Sequence, residues 1–496
     1  MLEVKNLKIE IGLKTYVDNL SFSIGSGDKL AIIGEEGNGK TTLLRVLIGS
    51  AFYASFTGVI KISNHYGYFE QSINDNKSSV KNYLYEDESE FYVHLNEIYS
   101  CLKILHLDNS ILEYDSIGLL SGGEKVKLQL LKILLQKPDI LLLDEPTNDL
   151  DLTTLEWLEQ FLIHLEIPII FISHDEKFLG RVANQVLHIE QLKKKSDCNV
   201  TYYKGTYQSY IEKRTSQLLT QTQVARKERA ERKKQLEVFT QIKNKVEHQQ
   251  NTISRKDPHG AKMLKRKMKS IKVQERRMNQ QELTELPDSE ESILLKFSSF
   301  PFPKNKVILS FHQYPFQVGN RTYKIDFEVV GPKHIGIIGK NGIGKTTFLE
   351  LLKKTMELRN DIVVAYMPQN YETILEMYET PLDYLVPSGD KNEVAVVRSY
   401  MGNLNFTREE MTGLINSLSG GSKAKLILLK LMLMKPTVLL LDEPTRNVSP
   451  LSNPVIRTFL KDFSGAIISV SHDRIYLEEV CDEVYELTES ELKRRI

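Results

Sequence analysis

A glycine-rich stretch, Gly34-Glu35-Glu36-Gly37-Asn38-Gly39-Lys40-Thr41-Thr42, returns in the same chain as Gly339-Lys340-Asn341-Gly342-Ile343-Gly344-Lys345-Thr346-Thr347. Three further motifs follow it in both places and in the same order. Leu120-Ser121-Gly122-Gly123 matches Leu418-Ser419-Gly420-Gly421, Leu141-Leu142-Leu143-Asp144-Glu145-Pro146-Thr147 matches Leu439-Leu440-Leu441-Asp442-Glu443-Pro444-Thr445, and Ser173-His174-Asp175 matches Ser471-His472-Asp473. Self-similarity of this kind dictates the architecture before any one motif is interpreted. The chain carries one fold twice with a spacer between, and 496 residues exceed what a single hydrophobic core holds.

Each repeat reads as α/β. The apolar runs Lys29–Ile33 and Ile335–Ile338 lead into the glycine-rich turns, and helical patterns over Gly123–Leu135 and Ser422–Leu433 follow. Ile140–Leu143 and Ile169–Ile172 are apolar at every position, as strands buried on both faces of a parallel sheet must be.

The pattern Gly-x-x-x-x-Gly-Lys-Thr between a strand and a helix is a phosphate-binding loop. Its glycines turn backbone N–H groups inward, and the helix adds its positive N-terminus. Gly34, Gly37, Asn38, Gly39, Lys40, Thr41 and Thr42 are the expected nucleotide contacts of the first repeat; Gly339, Asn341, Gly342, Ile343, Gly344, Lys345, Thr346 and Thr347 are those of the second. Lys40 and Lys345 are expected at the β/γ-phosphates of ATP, and Thr41 and Thr346 on Mg²⁺. Asp144 and Asp442 end apolar strands, where a carboxylate can orient the metal or its water. Glu145 and Glu443 come next, placed to polarise the attacking water as catalytic groups. Gln71 and Gln369 follow short apolar runs and are further metal or water ligands.

The Ser-Gly-Gly signature resembles that of ATP-binding cassette (ABC) ATPases, and two such domains without membrane spans resemble the ABC-F family. The resemblance covers nearly the whole chain. It implies an α/β fold class: two ABC-type nucleotide-binding domains joined by a long antiparallel α-helical hairpin. It also implies that each signature completes the other domain's site. Ser419, Gly420 and Gly421 would share a nucleotide with Lys40 and Glu145; Ser121, Gly122 and Gly123 would share one with Lys345 and Glu443. His174 and His472 would be catalytic switch histidines at the γ-phosphate. Ile11 and Phe316 are the candidate adenine neighbours.

The repeats differ where the sites should be most alike. Asp151 closes the loop after Glu145, whereas Ser449-Pro450 stands after Glu443, and Glu124 after the first Ser-Gly-Gly becomes Ser422 after the second. These departures predict unequal sites. The Arg446-Asn447-Val448-Ser449-Pro450 form, the little room for an inserted arm between Gln71 and Ser121, and the end at Ile496 without a basic tail are similar to antibiotic-resistance ABC-F proteins.

The expected division is 1–204, 205–285 and 286–496. Net charge is zero, yet residues 205–285 hold 20 Lys+Arg against 9 Asp+Glu, which points to a polyanionic partner. Ile211, Leu218 and Ala225 keep heptad spacing, Leu236, Phe239, Ile242 and Val246 form a stripe, and Leu264, Met268, Ile271 and Met278 form a facing seam. Two helices folding back at 251–260 would bury them. Few aromatics stand among the basic residues, so docking on structured RNA fits better than base stacking.

By the resemblance, the partner is the 70S ribosome: large-subunit rRNA near the exit site, and P-site tRNA. The tip, with Arg255, Lys256 and His259, would protect against peptidyl-transferase-centre antibiotics of the lincosamide, pleuromutilin and streptogramin A classes. ATP binding would drive engagement and hydrolysis release. The alternatives are a housekeeping ABC-F translation factor and the ATPase subunit of a membrane exporter. No apolar run reaches the ~18 residues of a membrane span. Met1–Asn6 runs straight into strand-like alternation, and Cys101, Cys198 and Cys481 lack metal-ligand spacing. The expectation is a cytoplasmic monomer pairing its own two domains, with no membrane and no metal cluster.

Overall fold

The computed structural model describes residues 2–70, 78–85, 87–148, 150–192, 197–252, 258–280, 303–319, 321–404, 406–446 and 448–495. The chain divides into two compact units, Met1–Tyr207 with Ser292–Ile496, and Gln208–Glu291.

The first unit contains both repeats, each built on a six-stranded sheet. In the first repeat the spatial order is Tyr66–Phe69, Ile140–Asp144, Ile169–Ile172, Lys29–Ile33, Gln185–Leu192, Asp197–Lys204. In the second it is Val364–Met367, Val438–Asp442, Ala466–Val470, His334–Ile338, Glu483–Leu487, Leu492–Arg494. All neighbours are parallel except the last pair, which is antiparallel. Ile140–Asp144, Ile169–Ile172, Val438–Asp442 and Ala466–Val470 are buried at every position, which is why these strands read as unbroken apolar runs. Antiparallel strands cover one side: Lys14–Ile24, Leu2–Ile11 and Ser55–Ile62 in the first repeat, Val307–Val318 and Arg321–Val330 in the second.

This strand order decides where chemistry can occur. Lys29–Ile33 lies between Ile169–Ile172 and Gln185–Leu192; the chain leaves it toward Tyr66–Phe69 at one edge, whereas Ile169–Ile172 connects the opposite way, past it to Gln185–Leu192. The glycine-rich turn, Asp144-Glu145 and His174 all follow carboxyl ends of central strands and converge at that crevice. The second repeat does the same with His334–Ile338, Asp442-Glu443 and His472.

The second unit holds all but the first residue of a 46-residue helix, Tyr207–Thr252, about 69 Å long at 1.5 Å per residue, and a shorter helix, Pro258–Gln280. Phe239, Val246 and Ile271 are its buried core, with Leu264 and Met268 packed against them, and Lys243 bridges to Glu275 at 3.3 Å. The buried stripe is narrower than the sequence suggested. Leu236 and Ile242 are 39% and 49% exposed, because one partner helix shields a single seam and residues off it face water. Ala225 is buried, and Ile211 and Leu218 half-buried. The expected tip at 251–260 is partly helical: Asn251 and Thr252 end the first helix, and His259 and Gly260 stand in the second, which Pro258 opens. Arg255 and Lys256 lie outside the described residues, as does the Met278 side chain. Among the described residues no helix is long and apolar enough to cross a membrane.

Candidate functional site

Each glycine-rich turn caps its helix in the same way. Gly39 (φ 87°) and Gly344 (φ 103°) occupy the left-handed region at the N-caps of Lys40–Leu47 and Lys345–Glu357. A Cβ there would strike Tyr16 in the first repeat and Val318 in the second. These two residues, not Ile11 and Phe316, flank the turns. Ile11 pairs with Lys14 at the end of its hairpin, and Phe316 is buried against Phe348 and Tyr323 in the core.

Lys40 and Lys345 are buried and folded back over their own loops. Lys40 Nζ donates to the carbonyls of Gly34 (2.9 Å) and Glu35 (3.0 Å), and Lys345 Nζ to those of Gly339 (2.8 Å) and Lys340 (3.0 Å). Burial lowers both ammonium pKa values, against the opposing pull of nearby carboxylates. Two of the expected contacts use their side chains elsewhere. Asn38 Nδ2 donates to the Ile189 carbonyl (3.1 Å) and Ile343 is buried in the core, which leaves each only its backbone for a phosphate.

The hydroxyl of Thr41 donates to Asp144 (3.1 Å) and that of Thr346 to Asp442 (2.7 Å). Burial, reinforced by Glu145, raises the Asp144 carboxyl to about 6, and burial also raises Asp442. A paired hydroxyl and carboxylate at the helix start is an oxygen donor set suited to a hard divalent cation.

Glu145 (φ 52°) and Glu443 (φ 53°) hold the left-handed backbone that β-strand ends seldom allow to a non-glycine residue, a strain that aims their carboxylates into the crevice. Their surroundings differ. Glu145 Oε1 lies 3.3 Å from His174 Nε2, and Asn148 Nδ2 donates to its other oxygen at 2.5 Å. Burial alone would raise Glu145, but His174, Lys40 and Asn148 outweigh it and hold the carboxyl at about 2. Glu443 is 3.7 Å from His472 Nε2, and burial raises it to about 8. Burial lowers His472 to about 4, and its Nδ1 meets no hydrogen-bond partner among the described residues.

The two repeats face each other. A cavity of about 560 Å³ is lined by Asn341, Lys345, Thr346, Gln369, Glu443 and His472 from the second repeat and by Gly122, Leu150 and His174 from the first. Across the other pairing, the Glu36 carboxylate accepts a hydrogen bond from the Gly421 backbone N–H at 2.8 Å, and His174 Nδ1 lies 2.9 Å from the Val448 carbonyl. Thus the first glycine-rich loop meets the second Ser-Gly-Gly and the reverse. Ser121 and Ser419 cap the signature helices Gly122–Leu135 and Gly420–Leu433 through the amides of Glu124 and Ser422. Gln71 lies outside the described residues. Sequence reasoning does not find Glu36, Tyr16, Asn148 or Val448; of these only Glu36 carries a signal, standing where the second repeat has Asn341.

Two P-loop sheets, each presenting a signature helix to the other's loop, define a tandem ATP-binding cassette ATPase. The chain belongs to the ABC transporter family, whose model matches residues 17–148 and 323–446, and whose cassettes hydrolyse ATP. It is 27% identical to the ATP-binding protein YdiF of Bacillus subtilis, over 99% of this chain and 81% of that one. It is 23% identical to the ABC transporter F family member 5 of Arabidopsis thaliana, over 98% and 75%. The fold is shared with a structure titled as a model of ribosome-bound archaeal Pelota and ABCE1, at 16% identity and a TM-score of 0.61, covering 99% of this chain and 78% of that one.

Proposed function

We propose that the chain is an ABC-F ATPase that binds the bacterial 70S ribosome and protects its large subunit from peptidyl-transferase-centre antibiotics of the lincosamide, pleuromutilin and streptogramin A classes. The observation that carries the reading is the pair of helices that separates the cassettes in sequence. Lys262, Lys265, Arg266, Lys267 and Lys269 are all exposed along its second helix, and Lys227, Arg229, Lys233 and Lys234 along its first. A solvated surface helix mixes its charges more evenly; a face this basic neutralises phosphates. The similarity to an F family member over nearly the full length, and a fold shared with a protein titled as ribosome-bound, support the same partner.

In this reading each site takes ATP between one glycine-rich loop and the opposite signature. Lys40 and Lys345 exchange their loop carbonyls for phosphate oxygens. Thr41 with Asp144, and Thr346 with Asp442 and Gln369, would hold Mg²⁺, as would Gln71; that ion neutralises phosphate charge. Glu145, oriented by Asn148 and His174, accepts a proton from the attacking water, and Glu443 does so opposite. Domain closure on ATP favours ribosome engagement, and hydrolysis releases it.

The test is to trap the ATP-bound protein as Glu145→Gln/Glu443→Gln and ask what it sediments with. Recovery with ribosomes supports the reading; recovery with membranes or DNA overturns it. Expression in a susceptible bacterium should raise inhibitory concentrations for at least one of the three drug classes. Ribosome binding with no protection against any large-subunit drug would instead establish the housekeeping translation reading.

A further inference from the structure

The negative charge facing the nucleotide sites is arranged differently in the two. At the site built on Lys345, the loop residue is Asn341 and the opposing carboxylate is Asp151, whose charge acts on both Lys345 and His472. At the site built on Lys40 the positions are exchanged. Ser449 replaces the aspartate, and the carboxylate is Glu36, on the glycine-rich loop itself. Ser449 still performs the aspartate's local task. Its hydroxyl accepts from the Ser452 amide three residues on (3.2 Å), as Asp151 accepts from Thr154 (2.9 Å). The charge has moved while the turn is kept.

Glu36 is not a solvated loop acid. Its carboxylate accepts from Gly421 N–H at 2.8 Å and lies against Gly420, where any Cβ would overlap it; burial raises its pKa, opposed by His174, the Gly421 amide and Lys40. The helix it meets has been made receptive. Gly122–Leu135 carries its own acid, Glu124, which accepts from Ser121 N–H at 2.8 Å, but Gly420–Leu433 has Ser422 there and no acid in its first turn. An α-helix N-terminus without a resident acid is an anion seat, and here the occupant is a carboxylate of the opposite domain. It joins the phosphate loop to the signature glycines, which is where the terminal phosphate of a nucleotide bound between them belongs.

We propose that Glu36 is a built-in stand-in for the terminal phosphate at the first site: it latches that site in the nucleotide-free protein, and a nucleoside triphosphate gains the site only by displacing it. This rests on the reading that both composite sites take ATP. The second site, with Asn341 at the matching loop position, has no such carboxylate on its loop and fills first. Discrimination falls on the γ-phosphate, because a diphosphate does not need the seat Glu36 holds.

The test is nucleotide titration of the full chain by calorimetry with ATP and with ADP, for wild type, Glu36→Asn (the residue at the matching position of the second loop) and Glu36→Gln. Wild type should show two ATP affinities. Glu36→Asn should tighten the weaker one about tenfold or more and change ADP binding less than twofold, with Glu36→Gln in between. A variant that tightens or weakens ATP and ADP alike, or leaves the weaker ATP site unchanged, overturns the latch while leaving two-site ATP binding intact. Absence of ATP binding in wild type overturns the underlying reading instead. Should Glu36→Asn fail to fold, Glu36→Gln alone decides, since it keeps the shape and removes the charge.

Discussion

His174 Nδ1 lies 2.9 Å from the backbone carbonyl of Val448, so a histidine of the first cassette is held by the loop that follows Glu443 in the second. The same ring presents Nε2 to Glu145 at 3.3 Å. One imidazole thus links the opposite domain to the Glu145 carboxylate, and in the proposed reading that link positions the catalytic group. Replacing His174 with Ala should lower turnover at the first site by about 10²-fold, the scale on which a misplaced catalytic group slows a reaction. Steady-state ATPase in a Glu443→Gln background isolates that site, and a change below threefold there would rule this role out.

The two glutamates should show different pH profiles. Glu443, raised to about 8, is mostly protonated at neutral pH and gains base strength as pH climbs through that value. Glu145, held at about 2, is ionised throughout. In Glu145→Gln, where only the second site works, ATPase should rise by up to about tenfold per unit between pH 7 and 8 and level off above. In Glu443→Gln it should stay flat across the same interval. Identical profiles would remove the asymmetry.

Arg457 is 4% exposed and pairs with Glu176 of the other cassette at 2.5 Å and with Glu479 at 2.8 Å. Burial raises the Glu176 carboxyl, opposed mainly by Arg457. Arg457→Met should cost about 3–5 kcal/mol, the scale for stranding one charge of a buried pair. The midpoint of urea unfolding would report it. Arg457→Met/Glu176→Leu should recover most of the loss, and failure to do so would show that the arginine acts otherwise.

Charge reversal at Lys262, Lys265, Arg266 and Lys269 should weaken ribosome sedimentation and flatten its salt dependence, by close to one unit of slope for each phosphate no longer neutralised. ATPase of the free protein should be unaffected. An unchanged slope would place the polyanion-binding face elsewhere.

Much of this was legible because it is local. The Gly-x-x-x-x-Gly-Lys-Thr loops, the apolar strands ending in Asp144 and Asp442, and the helical patterns after the two Ser-Gly-Gly motifs each draw on residues within a few positions of one another. What escaped were meetings of distant residues. Glu36 and Gly421 are 385 positions apart, and His174 and Val448 are 274 apart. No period or propensity links such pairs. Phe316 looked available because an aromatic near a phosphate loop suits an adenine, but its strand face packs into the core; Val318, on the same face two residues on at the strand's end, is the residue that reaches Gly344. Leu236 and Ile242 failed for the related reason that a lone pair of helices cannot cover a broad stripe.

Glu159, fully buried, receives both Arg181 of its own cassette and Arg474 of the other, and Arg474 also meets Asp175, the residue after His174. With Arg457–Glu176 and Lys177–Glu478, these ion pairs fasten the cassettes together between their two mouths. Full separation would strand Arg457 without Glu176 and take Arg474 from Glu159, at a cost of about 3–5 kcal/mol for a buried pair broken from one side, so parting of the cassettes is opposed at this seam.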